Sequence, residues 1–191
     1  MPASAEHARR PSTADGVSVD DFALLGALGS GATSEVLLVR RRGGPLSGEL
    51  HALKVMRKAA LSPGQIQQVV SENELLQSLS HPYLCALRYA FQDAAHFFLV
   101  LQHVGGGDLA THLASKGAME EASARLVLGG AVLALRHLHE VRVVYRDLKP
   151  ENILLDHRDG LVRAQHLNRP SAPLRGRAHA SAGISSSSLR A

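Results

Sequence analysis

Apolar positions along the chain change period several times, and each change predicts an element. Phe22 to Leu28 is a mostly apolar stretch that runs into Gly29-Ser30-Gly31, the pattern of a strand ending in a glycine turn. Glu35 to Arg41 predicts a second strand, Arg42-Gly43-Gly44-Pro45 a turn, and Leu50 to Met56 a third strand. From Pro63 the spacing shifts. Ile66, Val69, Val70, Leu75, Leu76 and Leu79 recur at three and four, the mark of an amphipathic helix. His81-Pro82 closes it, because the residue before a proline disfavours helical backbone. Leu84 to Ala90 and Phe97 to Leu101 predict two more strands, and Gly105-Gly106-Gly107 then interrupts the chain. Glu120 to His139 predicts a long helix with Leu128, Ala131, Leu135 and Leu138 on one side. Gly129 and Gly130 sit inside it, each weakening it by about 1 kcal/mol relative to alanine. Strands, one helix, strands and then helices make an α+β fold, with a small sheet lobe followed by a helical lobe.

The flanks lack such periods. Residues 1–20 are Ala, Ser, Pro and charge and are expected to be a disordered leader; residues 158–191, rich in Arg and Ser, are expected to be a disordered tail. The 191 residues include 21 Lys and Arg against 17 Asp and Glu. No acidic residue follows Asp159, whereas Arg163, Arg169, Arg175, Arg177 and Arg190 do, so the basic excess belongs to the tail. A nucleic-acid-binding domain would cluster it on a folded face, and no nucleic-acid partner is expected. One cysteine, Cys85, excludes an intramolecular disulfide and fits a reducing, intracellular compartment, cytoplasmic or nuclear. The start of the chain lacks the apolar core of a signal peptide. The longest apolar run, Leu126 to Leu135, is about half of a membrane span.

Candidate chemistry is concentrated in four places. In Tyr145-Arg146-Asp147-Leu148-Lys149-Pro150-Glu151-Asn152, an aspartate can orient an attacking hydroxyl and accept its proton. Asn152, five residues on, can offer a neutral oxygen to Mg2+, and Lys149 can neutralise charge on a transferring phosphoryl group. Around Leu28-Gly29-Ser30-Gly31-Ala32-Thr33-Ser34-Glu35-Val36, glycines let the backbone fold over phosphates; taken alone, a plain hairpin turn fits as well. Ser34 stands where a third glycine of G-x-G-x-x-G is expected. Lys54, after Ala52-Leu53, lies 18 residues before Glu72 on the amphipathic helix; a lysine on nucleotide phosphates needs such a carboxylate to hold it. Finally, Gln102-His103-Val104-Gly105-Gly106-Gly107-Asp108 reads as a hinge whose backbone can bond adenine while Asp108 accepts from ribose hydroxyls. No Gly-Lys-Ser/Thr triplet supports a P-loop, and His137 and His139 point apart on a helix, against a zinc site.

Residues 21–157 resemble a protein kinase of the AGC group, serine/threonine type, in the ribosomal-protein kinase branch. The stretches that carry the resemblance are 53–59, 81–84, 89–92, 104–109, 132–139 and 145–156. It implies a kinase N-lobe over 21–104, a twisted antiparallel sheet with one regulatory helix, and the first helices of the C-lobe with the catalytic loop over 105–157. It also implies ATP and Mg2+ as cofactors, a protein serine or threonine as substrate, and a regulatory kinase as partner. By position, Val36, Ala52 and Leu154 would sandwich adenine, Leu101 would be the gatekeeper and Glu151 would meet the ribose edge.

One part of the family pattern is missing. An Asp-Phe-Gly triplet that holds a catalytic metal is expected 13 residues after Asn152, where the chain reads Gln165-His166-Leu167. The expectation is a kinase truncated after its catalytic loop, with two open outcomes: phosphoryl transfer, or a catalytically inactive module that binds nucleotide or a kinase partner.

Overall fold

The computed structural model describes residues 12–13, 16–31, 33–156 and 162–165. The side chains at 12, 13, 68, 71, 72, 74 and 75 lie outside that description. The strands are β1 (Ser12–Thr13), β2 (Phe22–Ser30), β3 (Ser34–Arg41), β4 (Leu50–Arg57), β5 (Leu87–Gln92), β6 (His96–Gln102), β7 (Ile153–Leu155) and β8 (Val162–Ala164). The helices are α1 (Pro63–Ser78), α2 (Leu109–Lys116) and α3 (Glu121–Glu140).

Six strands form one sheet in the order β1-β5-β6-β4-β3-β2, antiparallel except for β1, which pairs parallel to β5 at the edge. β4 lies inside the sheet and is buried along most of its length. Both of its faces meet apolar partners, which explains why its sequence shows no clean alternation. Ala52 and Met56 face a core with Leu76 of α1, Cys85, Leu87, Phe97, Leu99 and Leu101. Leu53 faces the opposite core of Phe22, Val39, Phe98 and Val100, onto which Val17 packs. β1 and Val17 fall within the stretch expected as a leader. Residues 17–22 cover the outer face because Val17 and Phe22 bring apolar surface to it.

α1 starts where the sequence places it. Pro63 takes the first helical position, and Ser62 and Gln65 cap each other reciprocally. α2 was not foreseen; Asp108 caps it and Gly117, at φ +79°, ends it.

α3 buries Val127, Gly130, Ala131, Ala134 and Leu138. Leu128, expected on the buried side, is 61% exposed. The run 126–135 is apolar all round, and its periodicity therefore does not set the phase of the helix.

Order also extends past the boundary expected near 157. β8 pairs antiparallel with β7, and its Ala164 exchanges backbone bonds with Tyr83 and Cys85 of the sheet half at 2.9 and 3.0 Å. Val162 and Ala164 are buried against α3 and the segment before β5. Three residues joined at long range leave no period for a sequence to display.

Candidate active site

The glycine-rich turn joins β2 to β3. Leu28, Gly29 and Ser30 end β2, Gly31 and Thr33 form the turn, and Ser34, Glu35 and Val36 open β3. Ala32 lies outside the described residues. Gly31 N–H donates to Ser34 O at 2.7 Å and closes the tip. A Cβ at Gly29 would meet nothing within 4 Å, so the protein's own packing does not require a glycine there.

Cross-strand register decides which of these side chains share a face. Lys54 stands opposite Val36 on β3 and Leu99 on β6, and Ala52 opposite Leu101. Directly paired residues share a face of a sheet, and Val36, Ala52, Lys54 and Leu101 therefore line the α1 side together. Glu35 pairs with Val55 and is exposed on the other face. Lys54 is buried, with 6% exposure. Glu72 is a position of α1, and its side chain lies outside the described residues.

The connector after β6 is tied down at both ends. Gln102 N–H donates to Ala86 O at 2.8 Å, and its carbonyl accepts from the Cys85 thiol at 3.3 Å. Burial pushes that thiol up to about 12, against the opposing pull of Arg163 and Arg88, and it stays protonated at neutral pH. Val104 is buried. Gly107, at φ +73°, turns its carbonyl to accept from Leu155 N–H at 2.9 Å, and Asp108 bridges to Leu154. β7 is thereby brought against the connector. The Asp108 carboxylate, expected on ribose, accepts from Thr111 N at 2.8 Å and Thr111 Oγ1 at 2.9 Å as the cap of α2.

The loop 145–152 is held by its two buried ends. Tyr145 packs with Ala134, Leu138 and Val143, and its hydroxyl donates to the carbonyl of Gln165. Burial, with Asp147 and Cys85 adding to it, raises the Tyr145 phenol above its ordinary range, so it remains a donor. Asn152 is buried at the other end. Between them Arg146 adopts φ +59°, a left-handed conformation uncommon for a side-chain-bearing residue. The Asn152 amide donates to Asp147 O at 2.8 Å and Asp147 Oδ2 at 3.0 Å. Lys149 Nζ lies 3.2 Å from the same Oδ2. Three of the residues singled out by sequence thus form one polar cluster. Glu151 is exposed on the 3-10 turn Pro150–Asn152, and Leu154 is half-buried in β7.

Gln165 follows β8. Its N–H donates to Asn152 O at 2.8 Å, which puts residue 165 beside the loop asparagine. Position 165 therefore carries a neutral amide, where a metal centre built on Asn152 calls for a carboxylate. Asp156 is buried and paired with Arg163, unavailable to a cation. Among the described residues no three His, Cys, Asp or Glu side chains form a group able to hold a metal. The donor set does not fit the two-metal centre that the sequence pattern implies. The Asp156–Arg163 pair was also missed from sequence; it ties the residue after β7 to β8, which falls in the stretch expected as a tail.

One cavity lies away from these residues and another borders the glycine turn. One of about 610 Å3 runs along α3 beside Val132, Leu135, Arg136 and His139. Another, of about 140 Å3, borders Ser30, Thr33, Glu35, Val55 and Arg57, including outer-face residues that point away from the side of Lys54. Among the described residues no helix is long and apolar enough to cross a membrane.

Comparison with known proteins agrees with this geometry. The family described as protein kinase domain matches residues 22–165. The chain is 46% identical over 149 residues to ribosomal protein S6 kinase alpha-4 of Mus musculus, covering 76% of this chain and 19% of that protein. It is 42% identical over 135 residues to ribosomal protein S6 kinase alpha-6 of Homo sapiens, covering 71% and 18%. Against protein kinase 2 of Dictyostelium discoideum it is 42% identical over 138 residues, covering 72% and 28%. The chain spans about a fifth of the length of the S6 kinase alpha relatives it matches.

Proposed function

The chain belongs to the protein kinase domain family, in its AGC-type ribosomal protein S6 kinase branch, and from that premise we propose that it takes up ATP between its sheet and its catalytic loop for phosphoryl transfer to a protein serine or threonine. The observation that carries this reading is the cluster of Asp147, Lys149 and Asn152, whose spacing and contacts suit a loop that orients a hydroxyl. Asp147 would receive the proton of that hydroxyl. Lys149 would stabilise charge on the transferring group, and Asn152 would hold Asp147 in place through its amide. Lys54 would bind the phosphates beneath the glycine turn, with Glu72 as its expected partner. Val36, Ala52 and Leu154 would enclose adenine, with Leu101 behind it and the connector at 102–104 along its edge. Glu151 and Asp108 would meet the ribose.

The family uses ATP with a divalent metal and acts on protein substrates. Mg2+ is the cation expected, although the carboxylate it calls for at position 165 is a glutamine here. Regulation by a second kinase and an intracellular setting, cytoplasmic or nuclear, belong to the same proposal.

Gln165 favours a second reading, in which nucleotide is captured and phosphate is not transferred. Titration of the chain with ATP, run beside transfer from labelled ATP to Ser/Thr peptides, separates the two. Binding with transfer that Asp147→Asn abolishes supports the kinase reading. Binding alone supports the capture reading, and no binding removes both.

A further inference from the structure

Resting on the nucleotide reading above, we propose that this chain binds adenine nucleotide without dependence on a divalent cation. A small divalent cation binds through oxygen donors, as a rule one or two carboxylates together with substrate phosphates. The catalytic loop carries two carboxylates, the exposed Glu151 on the turn Pro150–Asn152 and Asp147, whose Oδ2 already meets Lys149 Nζ at 3.2 Å and Asn152 Nδ2 at 3.0 Å. The position beside Asn152, where a second carboxylate would bridge to the metal, is Gln165, held there by its N–H to Asn152 O and by the Tyr145 hydroxyl on its carbonyl. The nearby acids serve other contacts: Asp156 pairs with Arg163 inside the protein and Asp108 caps α2.

The charge balance points the same way. Where a site carries several carboxylates, a nucleotide's phosphates are repelled until a cation stands between them. Here Lys54 on the sheet and Lys149 on the loop would both attract a phosphate chain, and Asp147, the acid bonded by Asn152, is itself paired with Lys149. Attraction between phosphate and ammonium then needs no intervening ion. Beside Asn152 a cation would find a glutamine in place of a second carboxylate, poor compensation for shedding its water.

The test is titration of the full 191-residue chain with ATP by calorimetry, once in excess MgCl2 and once in excess EDTA. Dissociation constants that agree within about threefold are expected; binding about tenfold tighter or more with MgCl2, a difference of about 1.4 kcal/mol, would overturn the proposal. Absence of binding under both conditions would instead remove the nucleotide reading on which it rests. Gln165→Asp, with folding checked by its thermal transition, is expected to gain the dependence and bind more tightly in MgCl2 than in EDTA. A folded variant that stays indifferent to the cation would contradict the role assigned to position 165.

Discussion

In the sheet half, apolar surface is covered from both sides: Leu53 and Val100 are at most 2% exposed under the segment around Val17 and Phe22, and Leu99 and Leu101 at most 4% under α1. Along α3 a single stripe is buried, while Leu126, Leu128 and Val132 stand 71%, 61% and 61% exposed. The catalytic loop springs from this second, half-covered region, yet its own residues are pinned by Tyr145, Asn152 and β8. Stability and chemistry are therefore lodged in different places. The sheet half is covered on both faces, while the loop is held by hydrogen bonds of Tyr145 and Asn152 to Gln165, next to Ala164, which bonds to Tyr83 and Cys85.

The largest effect expected from this contrast is on stability. Leu53→Ala should cost about 2–5 kcal/mol, because the enclosed site cannot collapse around the lost atoms, whereas Leu128→Ala should stay within about 0.5 kcal/mol of the parent. Urea unfolding of both variants checks this, and equal losses would break the comparison.

Acid should act on the sheet half next. Burial, reinforced by Arg88, Arg41 and His103, holds His51 down to about 4, and burial with His137 lowers His81 as well. Between pH 6.5 and about 4 the unfolded chain takes up a proton at His51 that the folded chain refuses. Stability is thus full above pH 6.5 and falls with acid, by on the order of 3 kcal/mol from His51. Both ring nitrogens of His51 are buried without a hydrogen-bond partner among the described residues. His51→Leu should accordingly leave stability at pH 7 intact or raised and should flatten the decline, as urea midpoints across pH would show.

Two adjacent glycines sharpen the contrast within α3 itself. A Cβ at Gly130 would lie 2.9 Å from the Tyr83 ring and 3.3 Å from Val162, so Gly130→Ala should destabilise by about 1–3 kcal/mol. At Gly129 a Cβ meets open space, and Gly129→Ala should stabilise by about 1 kcal/mol. Opposite signs in thermal unfolding are the expected outcome. Read from sequence, both glycines look like the same helix weakness; only the approach of Tyr83 separates them.

That pair illustrates what the sequence shows and where it stops. The strands β2 to β6, α1 from Pro63, and the loop 145–152 are legible because each is written in local spacing or in turn residues. The phase of α3 is not, since ten consecutive apolar residues carry no contrast. β8 is not either, because Val162–Ala164 is defined by partners about 10 and 80 residues away, β7 and Tyr83–Cys85, inside a stretch whose composition resembles a tail. For the candidate site, the counting offset from Asn152 reached Gln165, but the bond that sets it beside Asn152 needed the fold. Asp108 shows the reverse: its position after the glycines suggested a ribose contact, whereas its part as the cap of α2 needed the fold.

In the nucleotide reading, β4 and the catalytic loop serve one site. The most direct measurement is the thermal transition of the chain as ATP is titrated, with Lys54→Met measured in parallel. A rise in Tm for the parent and a flat response for the variant are expected, since ligand that binds only the folded state raises its stability in proportion to occupancy. Equal rises in both proteins, or none in either, would contradict the placement of nucleotide on the Lys54 face.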